Sequence, residues 1–256
     1  MKSIFDLKHN YFFIIHLFTR FSSELYFRNC LCSFSILSIP KGMLLFSGIL
    51  VLMMGGTGYS LGNFSVIEQN KIIDQSGFIH LLGQIRNISN ETQKTIAAHA
   101  EFYDKSGRSI GNASGIVSVR SLNIGEVSPF EIIFLDKNQT RYFFNYTLDF
   151  TSEIGTNKQD NLVITSLKSR PDIFGYYYVS GRISNIGNTT ATNVLAIASF
   201  FDNNGRIIGL SSAIAEPNNL TSYSTSSFTV VMDDKVQSSK IKNYSLIVDS
   251  DQYTSR

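Results

Sequence analysis

Few side chains in this 256-residue sequence have the type and spacing that chemistry requires. Beyond residue 63 there are only two histidines, His80 and His99, and no cysteine, since Cys30 and Cys32 both lie earlier. A zinc or copper site takes three or four His, Cys or carboxylate ligands, and no His-x-x-x-His pair is present. Both histidines therefore read as strand residues at or near the surface, and no metal or cofactor is expected. Asp202-Asn-Asn-Gly205 has the start of a calcium loop but lacks its later glutamate, and the related stretch Asp104-Lys-Ser-Gly107 lacks even the amides. Asp at the first position and Gly at the fourth describe instead a hairpin turn, with Gly107 and Gly205 supplying the left-handed residue. Serines are abundant, but no Gly-x-Ser-x-Gly elbow occurs, and a nucleophile without a base is not an active site. Asp233-Asp234 follows a strand pattern, in which neighbouring side chains point to opposite faces. No phosphate-cradling glycine loop is found either, so the sequence predicts a protein that is not an enzyme.

One chemical signal stands above this background. Nine Asn-x-Ser/Thr sequons occur, at Asn63, Asn87, Asn90, Asn112, Asn138, Asn145, Asn188, Asn219 and Asn243. On an exported chain they predict N-glycosylation of a surface protein. Tyr176-Tyr-Tyr178 and Phe143-Phe144 have the residue types of a sugar-stacking platform. In a strand, half of such a run must face inward, which favours core packing over a platform.

The elements that must carry these residues emerge from an internal repeat. A shift of 98 residues places Gly83-Gln-Ile-Arg-Asn-Ile-Ser-Asn90 on Gly181-Arg-Ile-Ser-Asn-Ile-Gly-Asn188 without a gap. The same register places Ala98-His-Ala-Glu-Phe-Tyr-Asp104 on Ala196-Ile-Ala-Ser-Phe-Phe-Asp202, and Phe130 on Phe228. It continues through Asp136-Lys137 on Asp234-Lys235 and Asn145-Tyr146 on Asn243-Tyr244. The sequence thus predicts two copies of one domain, over 64–155 and 160–253. Matches at every second residue (Gly83, Ile85, Asn87; Ala98, Ala100, Phe102) mark one face of a strand. The residues between them differ, as His99 against Ile197 does, which reads as a less constrained face. Short apolar runs over 78–88, 95–103, 130–135 and 142–150 recur 98 residues later, and no amphipathic helix competes. Six or seven short strands in each copy predict an all-β chain of two tandem immunoglobulin-like sandwiches. A short polar linker around 155–160 predicts beads with some freedom to bend.

The first 63 residues differ in kind. Lys2, Lys8, Arg20, Arg28 and Lys41 against Asp6 and Glu24 leave this segment basic, while the remainder is nearly neutral. A nearly neutral body argues against nucleic acid as a partner. From Met43 an uncharged apolar tract runs to Asn63, preceded by Lys41 and ending in small residues. Residues 43–63 predict a hydrophobic helix, either a secretory signal or a membrane anchor, and in both cases an exported body. Residues 1–42 read as a leader or as an extension upstream of a start at Met43.

Each copy resembles the FxLYD domain, a β-sandwich module found singly or in tandem on exported prokaryotic proteins. The resemblance is carried by Gly-x-Ile-x-Asn-x-x-Asn, by a strand ending in aromatic-Asp, by x-x-Gly-Arg, and by Ser128-Pro-Phe130 and Ser226-Ser-Phe228. Where the family reads Phe-x-Leu-Tyr-Asp, this chain has Ala100-Glu-Phe-Tyr-Asp104 and Ala198-Ser-Phe-Phe-Asp202, keeping only the aromatic-Asp end. The resemblance implies a sandwich fold and an exported address rather than an activity. The expected function is a non-catalytic cell-envelope protein in an interaction or structural role, with an envelope protein or glycan as partner. Two alternatives stand beside it: a membrane-anchored sensor or accessory subunit held by residues 43–63, and a carbohydrate-binding or carbohydrate-active accessory protein.

Overall fold

A computed structural model describes residues 59–255. The leader over 1–42, and the hydrophobic segment up to residue 58, lie outside the described residues. The described residues are all-β, built of antiparallel sheets. The first repeat runs β1 (Tyr59–Leu61), β2 (Phe64–Ile73), β3 (Ile79–Asn87), β4 (Gln93–Tyr103), β5 (Ser109–Ile116), β6 (Ser121–Leu122), β7 (Val127–Phe134), the single helical turn α1 (Lys137–Thr140) and β8 (Asn145–Ile154). The second runs β9 (Leu162–Pro171), β10 (Tyr177–Asn185), β11 (Leu195–Phe201), β12 (Ile207–Ile214), β13 (Thr225–Met232), α2 (Lys235–Ser238) and β14 (Asn243–Asp249). In the first repeat, sheet β1-β2-β3-β7 faces sheet β5-β4-β8; in the second, β9-β10-β13 faces β12-β11-β14.

The equivalence extends to single backbone angles. Gly77 and Gly175, Gly107 and Gly205, and Thr95 and Asn193 all have positive φ at matching positions. At the hairpin tips, the Asp104 and Asp202 carboxylates each accept from backbone N–H groups two and four residues on. Those bonds hold the turn, and a register shift beside it in each copy absorbs the extra residue. Gly83 and Gly181 are required by packing: a Cβ on either would meet the ring of Phe130 or Phe228 at 2.5 and 2.7 Å. Each sandwich has its own core, around Phe64, Phe102 and Phe130 in the first and around Phe200 and Phe228 in the second.

Three expectations change. The end of the tract drawn to residue 63 is strand and not helix, because Tyr59–Leu61 pairs antiparallel with Phe64–Val66 and the Tyr59 hydroxyl donates to Gln69. The strand read over 142–150 begins at Asn145, because the Asp136 side chain caps α1 by accepting from the Asn138 and Gln139 N–H groups. Finally, the two sandwiches are not beads: both lie within one compact unit.

Candidate functional site

The most heavily built feature outside the cores is the seam between the sandwiches, and the differences between the copies create it. Leu195, Ile197 and Ile247 stand on the outer face of the β12-β11-β14 sheet, where the first repeat has Ala97, His99 and Asp149. Ile197 is 2% exposed and belongs to the hydrophobic cluster of the first repeat, with Leu195 and Ile247 packed against it. The position read as a less constrained face is therefore an interface, and only contact with the other repeat makes it so. His99, its counterpart, is half-buried on the outer face of the first repeat, its ring nitrogens 2.8 Å from Ser114 Oγ and 3.0 Å from Thr151 Oγ1.

Polar groups fix the register along the seam. Asn70 Nδ2 donates to the Ile207 carbonyl at 2.7 Å, and the Glu68 carboxylate accepts from the Ile207 N–H. Burial against the second repeat raises the Glu68 pKa, with that backbone bond as the opposing influence. At the junction, Lys158 is buried and its Nζ donates to Asp249 Oδ1 at 2.7 Å and to the Ser250 carbonyl. Asp249, fully buried, also accepts from the Arg120 N–H at 3.0 Å and from Arg120 Nη1 at 3.2 Å. Arg120 Nε reaches Asp251 at 3.3 Å. Asn123 closes the linker on both sides, donating to the Lys158 carbonyl at 2.8 Å and accepting from its N–H at 3.0 Å. The polar linker is thus fastened to both repeats.

Two cavities open on the seam, of about 450 and about 230 Å³. The smaller brings together His80, Asp74 and Glu131 from the first repeat and Asp233 and Asp234 from the second. His80 Nδ1 lies 2.7 Å from Glu131 Oε1 and Nε2 lies 3.4 Å from Asp74 Oδ2. The bond to Glu131 is the largest influence raising the His80 pKa; partial burial opposes it, and the Glu131 and Asp74 charges add to the rise. Carboxylates occupy both ring nitrogens, so neither is free to take a proton from a nucleophile as a catalytic triad demands. The arrangement is a charge bridge across β3 and β7. Sequence reasoning placed His80 near the surface and missed its partners, because β-pairing of His80 with Ile133 brings Glu131 within reach from 51 residues away. The two aspartates also differ from expectation. Asp234 has left the strand to cap α2, its side chain accepting from the Val236 and Gln237 N–H groups, so both line one cavity. Among the described residues, no group of three or more His, Cys, Asp or Glu is arranged to hold a metal ion.

The sequons separate by burial. Asn63, Asn90, Asn112, Asn138, Asn188, Asn219 and Asn243 are exposed and Asn145 is half-buried. Asn87 is a correction: it is fully buried, and its Nδ2 donates to the Glu91 and Leu122 carbonyls at 2.8 and 2.9 Å. Its sequon partner Ser89 donates to Asn87 Oδ1 from both N and Oγ. An amide nitrogen held in this way has no room for a glycan. Asn185 makes the same bonds in the second repeat, to Thr189 and Leu220, so the shared asparagine is a structural clamp. Of the aromatic runs, Tyr177 packs edge-on against Phe200 and Phe143 against Phe102, while Tyr176 and Tyr178 lie under Lys235 and Arg170.

No protein-family model and no curated protein matches the chain. Solved structures similar to part of it include an exo-chitosanase of Amycolatopsis orientalis, at 10% identity and a TM-score of 0.28, covering 73% of this chain and 26% of that one. Red sea bream transglutaminase is similar at 6% identity and a TM-score of 0.24, covering 73% and 29% respectively. The chain spans about a quarter of the length of these enzymes, and the likeness carries nothing about activity.

Proposed function

We propose that this chain is an exported, non-catalytic envelope protein whose two FxLYD-like, immunoglobulin-like sandwiches form a rigid interaction or structural module. The observation that carries this reading is duplication without shared reactivity. What the copies have in common is turn-holding aspartates, the Asn87 and Asn185 clamps and the aromatic core, all of them structural groups. The groups that could do chemistry, His80, Glu131 and Asp74, bind one another. The basic flank and uncharged tract before residue 59, and the eight accessible sequons, favour an exported address. Protease added to intact expressing cells tests it. Digestion of the body without lysis is the expected result, and protection until lysis would overturn the reading. Carbonate extraction of the membranes then separates a cleaved signal, which releases the body, from an anchor, which retains it.

A further inference from the structure

The outer face of sheet β9-β10-β13 is the second repeat's equivalent of the face on which the first repeat receives its neighbour, and here it is open. In the first repeat this face carries Ile72, Leu82, Glu131 and Ile133, which line the cavities of the seam. The equivalent positions of the second repeat are Arg170, Ser180, Thr229 and Val231, and Asn70 and Gln84 have become Lys168 and Arg182. Cross-strand register sets Lys168 opposite Ser180 and Arg170 opposite Tyr178, and Arg182, two residues further along β10, shares their face. Lys168, Arg170 and Arg182 are exposed. Lys235 lies over the Tyr176 ring at 5.0 Å and Arg170 over Tyr178 at 5.2 Å, so these two cations stand on aromatic rings. Of the apolar residues that seat a sandwich, Ile72 has become Arg170 and Leu82 has become Ser180, and two further cations stand where the first repeat has Asn70 and Gln84, which argues against a third sandwich as the occupant.

At the end of this face the β9–β10 turn presents Ile173, 93% exposed, and Phe174, 66% exposed. The fold does not require them. The equivalent β2–β3 turn has Gln75 and Ser76 in their place, with the same Asp carboxylate accepting from the backbone and the same glycine at positive φ. Asp172, the acidic group nearest the tip, accepts from the Phe174 and Tyr176 N–H groups and from the Tyr178 hydroxyl. The other acids at this end of the sheet, Asp233 and Asp234, line the seam cavity, and the Asp234 carboxylate caps α2. An apolar tip on a rigid turn, beside four cations and aromatic rings, has the chemistry of a surface that meets a charged apolar boundary.

We propose that this face docks on an anionic lipid surface, with Ile173 and Phe174 entering the acyl boundary and Lys168, Arg170, Arg182 and Lys235 meeting the headgroups. This contact is separate from residues 43–63 and does not depend on the chain's being exported.

The chain has no tryptophan, so Phe174→Trp gives the full-length protein a fluorophore at the tip alone, and Ser76→Trp gives the matched control on the other repeat. With phosphatidylcholine vesicles containing phosphatidylglycerol, the Phe174→Trp emission should shift to the blue and be quenched by brominated lipid, while Ser76→Trp stays unchanged. Adding Arg170→Glu and Arg182→Glu should weaken partitioning at least fivefold for each charge removed, the equivalent of about 1 kcal/mol per basic side chain. Circular dichroism checks that both variants remain folded. An unchanged Phe174→Trp emission would overturn the proposal, as would an equal response from both probes or a response indifferent to phosphatidylglycerol. A response to soluble anionic polysaccharide with none to vesicles would likewise overturn it, in favour of an acidic glycan.

Discussion

Asn87 and Asn185 are single residues on which whole loops depend, since each amide bridges two backbone carbonyls from different segments. Asn87→Ala takes the Asn87 donor from the buried Leu122 carbonyl and one of the donors from the Glu91 carbonyl, and urea denaturation should show a loss of about 1–3 kcal/mol. Asn185→Ala should cost a similar amount. His80 makes a pH prediction whose sign follows from its partners. Its pKa is raised in the fold, so its contribution is complete below the unfolded value of about 6.5 and is lost as pH rises through the folded value. The groups facing it are Glu131 on β7, Asp74 in the β2–β3 turn, and Asp233 and Asp234 across the cavity. The urea midpoint should therefore fall from mildly acidic to alkaline pH, and His80→Gln should flatten that slope. A slope unchanged in the variant would place the titration elsewhere.

At the scale of elements, the two copies act as controls for each other. Strand β11 is strand β4 with its outer face made apolar, and Ile197→His restores the first repeat's residue. Placing an imidazole at this buried position removes an apolar contact and buries a polar group, so the thermal midpoint should drop, by about 2–4 kcal/mol in stability. The reciprocal His99→Ile, at a half-buried position that loses bonds to Ser114 and Thr151, should change stability by only about 1 kcal/mol. The strands themselves were legible from alternation because each sandwich supplies its own inward face, with Ala98, Ala100 and Phe102 buried in β4. The seam was not legible: an outward Ile in one copy and an outward His in the other read as drift until another sheet is seen to cover one of them. The difference between copies on an outer face was itself the available signal, had it been read as asymmetry rather than tolerance.

For the whole molecule, the junction decides whether the two sandwiches move as one. Lys158→Ala strands Asp249 in the interior with only Arg120 to answer it, a change that should cost about 3–5 kcal/mol and loosen the linker to proteolysis. The double variant Lys158→Met with Asp249→Leu should recover most of that stability, which chemical denaturation can measure. N-glycosidase treatment of the native protein should shift its mobility if the exposed sequons are occupied, and mapping should leave Asn87 unmodified. Duplication, the strands and the hairpin turns were written in the sequence, because alternation and Asp–Gly spacing are local and are repeated at a constant interval. The seam, the His80 bridge and the buried Lys158–Asp249 pair belong to the tertiary structure alone. They depend on contacts between residues tens of positions apart, whose charges and methyl groups acquire meaning only when another surface excludes water from them.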